Sequence, residues 1–287
     1  MEEVTVISKA RGLLRDLGVN RYPVDVSAIA NTLGFQIKIS DQLGPNEAGH
    51  VVKLQDRKFI VLNGRDLPYR QRFTILHEIA HEVLQLPSSH GGKTSPSQIE
   101  SYVSRPREEI LCDIFAAECL VPWQLLLPLT EELPYETSTV RKLSDDFQVS
   151  LTCVASRFAQ VSREMTIFVL AENGVIQNVI SSIPVQEQKF WINIGINLPK
   201  GSATERARRA GKAEASTDSD GTVWSSSNSA PRFSCYEEAI VLEQWGQTLS
   251  LLTLEAVQDV EYQFNRKSSD EDELLSELTG KLPWPKR

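Results

Sequence analysis

Residues 72–87 read RFTILHEIAHEVLQLP, a stretch that contains two of the chain's four histidines. His77 and His81 are four positions apart, so on an α-helix both rings lie on one face and can direct a nitrogen at the same metal ion. Glu78 lies about 100° around such a helix from His77. From there it can accept a proton from a nearby water molecule without binding the metal itself. The pattern predicts a divalent metal site with an adjacent general base.

A catalytic metal of this type requires a third protein ligand, and the residues after His81 limit the choice. A histidine in an HExxHxxGxxH arrangement is excluded, because Leu84 and Pro87 occupy the positions of its glycine and last histidine. His90 lies in SSHGGK, whose composition is typical of a surface loop, and we expect it to be solvated. The better candidates lie further along the chain.

A second apolar helix, predicted from Glu108 to Pro122, supplies carboxylates. Glu109 and Asp113 are one turn apart and form a polar stripe that is costly to bury unless a cation or hydrogen-bond donors compensate it. Glu109 as the third metal ligand, with Asp113 accepting the free N–H of His77, would satisfy both groups. The alternative is an acidic pair favoured by the helix dipole. That alternative accounts for Glu108 and Glu109 but not for Asp113.

These motifs resemble the ImmA/IrrE family of bacterial and phage metallo-endopeptidases. PYRQRFTILHEIAHEVL followed by EEILCDIFAAECLVP is similar to the family's FTxAHExGH and ExxxNxFAxxLLMP patterns, and VDVSAIANTLGFQI resembles its N-terminal helical region. The likeness covers roughly residues 5–125. Two departures stand out: Ala80 replaces the glycine of HExGH, and VP replaces MP. Neither departure touches a proposed ligand.

The resemblance implies a zincin-like metallopeptidase that uses Zn²⁺, or alternatively Mn²⁺, with Glu78 as its base. It also implies a protein substrate, a cognate helix-turn-helix (Xre-like) repressor whose cleavage derepresses stress or mobile-element genes. The group that stabilises the oxyanion stays open between Tyr102, a backbone N–H and the metal alone. His50 lies on the strand EAGHVVKL, which could bind an extended substrate by strand addition. An ordinary edge-strand residue is the simpler interpretation of His50.

The pattern of apolar residues predicts an α+β fold. Helical spacing predicts helices at residues 3–17 and 25–33. A strand is predicted at FQIKI, and a hairpin is predicted from EAGHVVKL and RKFIVLNG, joined by the polar turn QD. We expect Asp66 to cap the metal helix, Pro68 to lie in its first turn and Pro87 to end it. Together these elements make up a predicted peptidase domain at residues 1–130.

The remainder of the chain is predicted to form two further units. TSTVRKLSDDFQVSLTCVASRF has helix-turn-helix spacing, which defines a helical segment at residues 131–163. Residues 164–287 read as a mixed α/β domain, GAF-like by resemblance to the longer IrrE-like members. Its predicted strands are MTIFVLA, GVIQNVI, FWINIGI and EEAIVLEQW. We expect GKAEASTDSDGTVWSSSNSAP to be a long mobile loop and the acidic tail to contain a short helix.

Composition limits the class of protein. The 287 residues are 41% hydrophobic and carry a formal charge of −8, which permits a sizeable core and argues against a protein built to coat nucleic acid. The first residues lack the apolar core of a signal peptide, and no apolar run approaches membrane-spanning length. We therefore expect a cytoplasmic protein with no membrane partner. The four cysteines form no CxxC pair and are expected to be buried thiols.

Three functions compete. The first is a regulatory metallo-endopeptidase that acts on a DNA-binding repressor. The second is a non-catalytic, metal-containing protein that controls its partner by contact alone. The third is a transcription regulator that binds DNA through residues 135–163, against which the acidic net charge argues.

Overall fold

The computed structural model describes residues 1–45, 47–87, 106–242 and 246–257, and the chain is α+β throughout that part. The helices are α1 (Glu3–Asp16), α2 (Val26–Thr32), α3 (Pro68–Leu84), α4 (Arg107–Leu120), α5 (Trp123–Glu132), α6 (Thr137–Phe147), α7 (Leu151–Val161), α8 (Ile183–Glu187) and α9 (Ala203–Ala210). The strands are β1 (Phe35–Ser40), β2 (Gly49–Leu54), β3 (Arg57–Asn63), β4 (Thr166–Glu172), β5 (Val175–Ser181), β6 (Glu214–Asp220), β7 (Phe233–Leu242) and β8 (Gln247–Ala256).

The first sheet has the order β1-β3-β2 and confirms the predicted strand and hairpin. β1 runs parallel to β3, with Phe35 opposite Lys58. β2 runs antiparallel to β3, and the polar turn between them places Gln55 at a left-handed φ of 54°. Because β3 is central, its apolar side chains Phe59, Ile60 and Leu62 are buried. Within the described ranges β2 pairs with β3 alone, so its other edge is open.

Helix α3, which carries His77 and His81, begins and ends differently from our expectation. Its N-cap is Leu67, whose side chain makes no capping bond, and Pro68 is the first helical residue as predicted. Asp66 was predicted as the cap, which is wrong: its carboxylate instead accepts a hydrogen bond from Arg70 Nε at 3.2 Å. The helix ends at Leu84 because Gln85 adopts a left-handed conformation with φ 56°, two residues before Pro87.

Helix α4 lies at the centre of the first core. It packs against α1 and α3 through a row of fully buried side chains that includes Cys112, Phe115 and Cys119. All four cysteines are free and buried, as predicted from their spacing. Among the described residues, no single helix has the length and apolar composition to cross a membrane; α4 and α5 meet both criteria only when joined across a bend of 63°.

The predicted pair of short helices is present as α6 and α7, joined by a turn in which Gln148 has a left-handed φ of 54°. Ser150 caps α7 by accepting a hydrogen bond from the backbone N–H of Cys153. Most of α7 is buried, including Val154, Arg157 and Phe158. This second helix of the pair is therefore a core element.

The second sheet is antiparallel, with the order β5-β4-β8-β7-β6. Side chains alternate between its faces, so Phe168 of β4 and Leu251 of β8 join the first core beside α7. Ile167 and Leu252 face the opposite way and join a second core. The sheet thus separates two apolar cores and contributes to both.

Two expectations for the second half are wrong. FWINIGI was predicted to be a strand, but it forms no ladder, and a single bridge joins Asn197 to Val175. The polar stretch from 211 to 231, predicted to be a mobile loop, contains β6 and two short 3₁₀ helices. An edge strand can be polar because its register is held by backbone hydrogen bonds to β7 and one of its faces meets water.

The proposed division into three domains stays a prediction, as does the GAF-like character of residues 164–287. Helix α5 runs across the predicted boundary at residue 130. β8 (Gln247–Ala256) was not predicted from the sequence. The predicted loop between α3 and α4 and the acidic tail fall largely at residues 88–105 and 258–287, outside the described residues.

Candidate metal centre

Helix α3 places both motif histidines inside the protein. His77 and His81 are each 6% exposed, and their Nε2 atoms lie 3.2 Å apart. The rings meet edge to face, with centroids 5.0 Å apart. Two imidazole nitrogens that converge at this distance, one helical turn apart, form half of a tetrahedral donor set.

Helix α4 supplies a carboxylate to the same point. Glu109 is 5% exposed, and its two oxygens lie 3.1 Å from His77 Nε2 and 3.6 Å from His81 Nε2. The ligand atoms of all three residues lie within 4.8 Å of one another. The structure therefore brings together the three predicted ligands from two helices that are separated by more than twenty residues of chain.

Asp113 lies one turn beyond Glu109 and contacts the other side of the His77 ring. Its Oδ1 is 2.9 Å from His77 Nδ1. Burial acts to lower the pKa of His77, but the hydrogen bonds to Asp113 and Glu109 outweigh it and raise that pKa to about 9. With the Nδ1 proton held by Asp113, the Nε2 lone pair of the neutral ring points at the other donors.

Glu78 is 1% exposed, and it is close enough for its negative charge to contribute to the raised pKa of His77. Its position next to His77 in sequence, on a continuous helix, holds the carboxylate beside the donor cluster rather than within it. This is the placement expected of a general base.

Two lysines that were not singled out from the sequence anchor the last turns of α3. Lys58 forms a short ion pair with Glu82, and Lys53 Nζ lies 3.2 Å from the same carboxylate. The hydrogen bond from Lys58 lowers the pKa of Glu82. No local sequence signal identifies these contacts, because they depend on how β2 and β3 are placed against the helix.

The other candidate residues are not brought into the cluster by the described contacts. His50 lies on β2, 28% exposed, with Nδ1 2.7 Å from the carboxylate of Glu47. Glu108 is half-buried in the first turn of α4. Tyr102 and His90 lie outside the described residues, so the roles of Tyr102 and His50 toward a substrate stay predictions.

The donor set fits a divalent metal. Two imidazoles and one carboxylate, all buried, are the number and type of ligands that protein sites use when one coordination position is left for a reactant. Cys112 lies on the same helix as Glu109, but burial, together with the charges of Glu109 and Asp113, raises its pKa to about 12. Its thiol therefore stays protonated near neutral pH in the metal-free protein, and Cys112 is not one of the three converging donor residues.

Comparison with known proteins shows which proteins and which family model this chain is similar to. Among the eleven chains of solved structures that match is a Mycobacterium tuberculosis transcriptional regulator, with a TM-score of 0.58 and 14% sequence identity. The match covers 87% of this chain and 76% of the other, and it concerns the fold. A search of curated proteins found no match. The family model of Peptidase_M78, described as the IrrE N-terminal-like domain, matches residues 30–159.

That matched region contains His77, Glu78, His81, Glu109 and Asp113, and a Peptidase_M78 domain supports the zincin-like metallopeptidase fold that the sequence predicted. Residues 30–159 therefore match the IrrE N-terminal-like domain of the Peptidase_M78 family.

Proposed function

We propose that the protein is a zinc-dependent endopeptidase in which His77, His81 and Glu109 hold the metal and Glu78 is the general base. The observation that carries this proposal is the buried convergence of the three donor groups within 4.8 Å, inside a metallopeptidase-family domain.

The chemistry follows from the positions of these groups. His77, His81 and Glu109 would hold a divalent metal, and that metal would supply polarisation of the substrate carbonyl and a lowered pKa of water. Glu78, buried beside His77, accepts the proton of the attacking water and returns it to the leaving amine. Asp113 holds the Nδ1 proton of His77, so the Nε2 lone pair of the neutral ring is the one that would bind the metal.

The donor types favour zinc. Imidazole nitrogen suits Zn²⁺, whereas Mn²⁺ prefers sites made mainly of carboxylate, carbonyl and water oxygens. Here nitrogen donors outnumber the carboxylate two to one. Mn²⁺ is the alternative metal.

The open edge of β2 suits an extended peptide substrate. The backbone N–H of Asn63 donates to Ala48 O at 2.9 Å, so Ala48 and Asn63 form a hydrogen-bonded pair in line with the β2–β3 ladder. Hydrogen-bonded positions alternate along an antiparallel strand. The N–H and C=O of Val51 therefore point away from β3, toward the open edge. An added strand would hydrogen-bond there, and His50 and Glu47 would lie close to it.

The partner we propose is a helix-turn-helix (Xre-like) repressor, whose cleavage would derepress stress or mobile-element genes. The family resemblance supports this partner, and the structurally similar mycobacterial protein is itself a transcriptional regulator. A non-catalytic regulator that binds metal is the alternative, and the test below separates the two.

DNA binding by residues 135–163 is less well supported. In a helix-turn-helix the second helix enters the major groove. Here that helix is α7, of which Cys153, Val154, Arg157 and Phe158 are buried in the core. Exposing them would require the domain to open.

The proposal is tested by incubating the full-length protein with Zn²⁺ and the repressor encoded beside it. The native chain should release repressor fragments. Glu78→Gln should bind the metal with similar affinity and release none, because the base is lost while the ligands remain. Glu132→Gln, which changes an exposed glutamate at the end of α5, is the matched control and should cleave normally. If native protein and Glu78→Gln both reduce repressor activity without fragments, the protein acts by contact and the peptidase proposal is abandoned.

A further inference from the structure

Helix α6 is held at its N-terminus by a carboxylate from the second sheet. Glu238 of β7 accepts hydrogen bonds from the backbone N–H of Thr137 at 2.8 Å and from its Oγ1 at 3.1 Å. Thr137 is 8% exposed and Glu238 is half-buried, so the contact is partly shielded from water. A negative charge at the N-terminus of a helix meets unsatisfied N–H groups and the positive end of the helix dipole.

The C-terminal end of α6 is held by the guanidinium group of an arginine on α3. Arg72 of α3 donates from Nε to Gln148 O at 3.1 Å and from Nη2 to Phe147 O at 3.5 Å. Its Nη2 also donates to Val24 O at 2.9 Å. The positive charge thus satisfies carbonyls at the negative end of the helix dipole. One helix is therefore capped at each end by a charge of the favourable sign, and the two charges come from different parts of the fold.

Between these ends α6 is a short, well-packed rod. Its 11 residues span about 16 Å. Val140, Leu143 and Phe147 are fully buried, and the Phe147 ring stacks on Tyr22 with centroids 4.5 Å apart. Packed helices shift as units rather than deforming continuously, so movement of one end is passed to the other.

The end of α6 that contacts Arg72 is connected to the metal centre through α3. Arg72 lies five residues before His77 on the same uninterrupted helix, whereas Glu109 belongs to α4. A shift of α3 relative to α4 would change the distances of 3.1 and 3.6 Å between Glu109 and the two histidines. Metal affinity is sensitive to displacements of this kind because ligand geometry must be held closely.

We propose that α6 couples the second sheet to the metal centre, and that Glu238 and Arg72 are positioning residues that act through this helix. A partner or ligand that draws β7 away from Thr137 would release one end of α6, loosen the contact with Arg72 and weaken metal binding. The inference rests on the metal site of the proposed function, but not on peptide cleavage.

The first test is hydrogen–deuterium exchange on the full-length, metal-free protein. Glu238→Gln should speed amide exchange in α6 and also in α3 around residues 72–77, severalfold in each. Thr137→Val, which removes one donor from the other side of the contact, is the second variant in case the first folds poorly. Glu214→Gln is the matched control, since Glu214 makes an exposed ion pair with Arg141 of α6 at 3.3 Å and should leave α3 unchanged. If Glu238→Gln speeds amide exchange in α6 but leaves exchange in α3 unchanged, the proposal is overturned.

The second test measures Co²⁺ affinity and the visible spectrum of bound Co²⁺. Glu238→Gln and Arg72→Met should each weaken binding about tenfold, within the range seen when groups that support metal ligands are lost. The double variant should be no weaker than the worse single variant, because both changes act through one helix. Arg72→Lys should recover part of the affinity and the native spectrum. Unchanged Co²⁺ affinity in the single variants contradicts coupling. A double variant whose loss of affinity equals the product of the two single losses contradicts it as well. Native protein that shows coupling but cleaves no repressor would overturn the peptidase function alone.

Discussion

Asp113 Oδ1 lies 2.9 Å from His77 Nδ1, on the side of the ring opposite Glu109. This relationship determines which nitrogen of His77 faces the donor cluster. It also explains why an apolar helix carries an aspartate one turn after a buried glutamate: the two carboxylates contact the two nitrogens of one ring. The polar stripe predicted from the sequence, Glu109 and Asp113, thus forms a single site together with His77.

Asp113→Asn should weaken Zn²⁺ binding by 10- to 100-fold, because an amide supports the His77 N–H less well and can turn to donate instead. Competition with a chromophoric chelator measures the affinity. Glu108→Gln, in the first turn of the same helix α4 but outside the donor cluster, is the control and should stay within about twofold. Equal effects of the two changes would mean that Asp113 contributes charge alone.

Metal binding should release a proton from His77. In the metal-free protein the pKa of this residue is raised to about 9, so near neutral pH the ring is protonated and must lose a proton before Nε2 can bind. Apparent affinity should therefore increase with pH, about tenfold per unit from pH 7 up to 9, and level off above it. Titration calorimetry in buffers of different ionisation enthalpy should find close to one proton released at pH 7.5. No release at that pH would contradict a raised pKa.

The buried ion pair between Glu118 and Arg157 should be a sensitive point for stability. Arg157 Nη2 lies 2.6 Å from Glu118 Oε2, and both side chains are almost completely buried. Arg157→Met should cost about 3 kcal/mol in the free energy of unfolding, because the buried carboxylate keeps only the partly exposed Arg11 as a cationic partner. The double change with Glu118→Gln should cost less than Arg157→Met alone.

Urea unfolding monitored by circular dichroism measures this difference. Arg163→Met removes an arginine whose side chain is 82% exposed and should cost less than about 0.5 kcal/mol. A cost for Arg157→Met as small as that of the surface control would mean that water or other groups compensate Glu118.

Val51→Pro should weaken substrate binding without harming the metal site. Proline removes an N–H that points away from β3, so the β2–β3 ladder keeps its hydrogen bonds while an added strand loses one. KM for a repressor-derived peptide should rise about tenfold, with Zn²⁺ affinity unchanged. Val51→Ala keeps the N–H and serves as the control; if it raises KM equally, the side chain rather than the backbone binds the substrate.

Much of the candidate site could be predicted from the sequence because its members are linked by helical spacing. His77 and His81 share a helix face, as do Glu109 and Asp113, and each relationship depends only on the geometry of one helix. The helix α3 and the pair α6–α7 were predicted from helical spacing, and the β2–β3 hairpin was predicted from two strand-like runs joined by a polar turn. The two errors have separate causes. Asp66 pairs with Arg70, one helical turn away, instead of capping α3, whereas polar β6 is held as a strand by its tertiary pairing with β7.

The sequence by itself determined which side chains could bind a metal and which helix carries each of them. Only the tertiary structure decided that α3 and α4 meet with Glu109 between the two histidines, and that Glu238 and Arg72 hold opposite ends of α6. The physical reason is that local spacing fixes the direction of a side chain on its own helix. The distance between side chains on different elements depends on how the whole core packs.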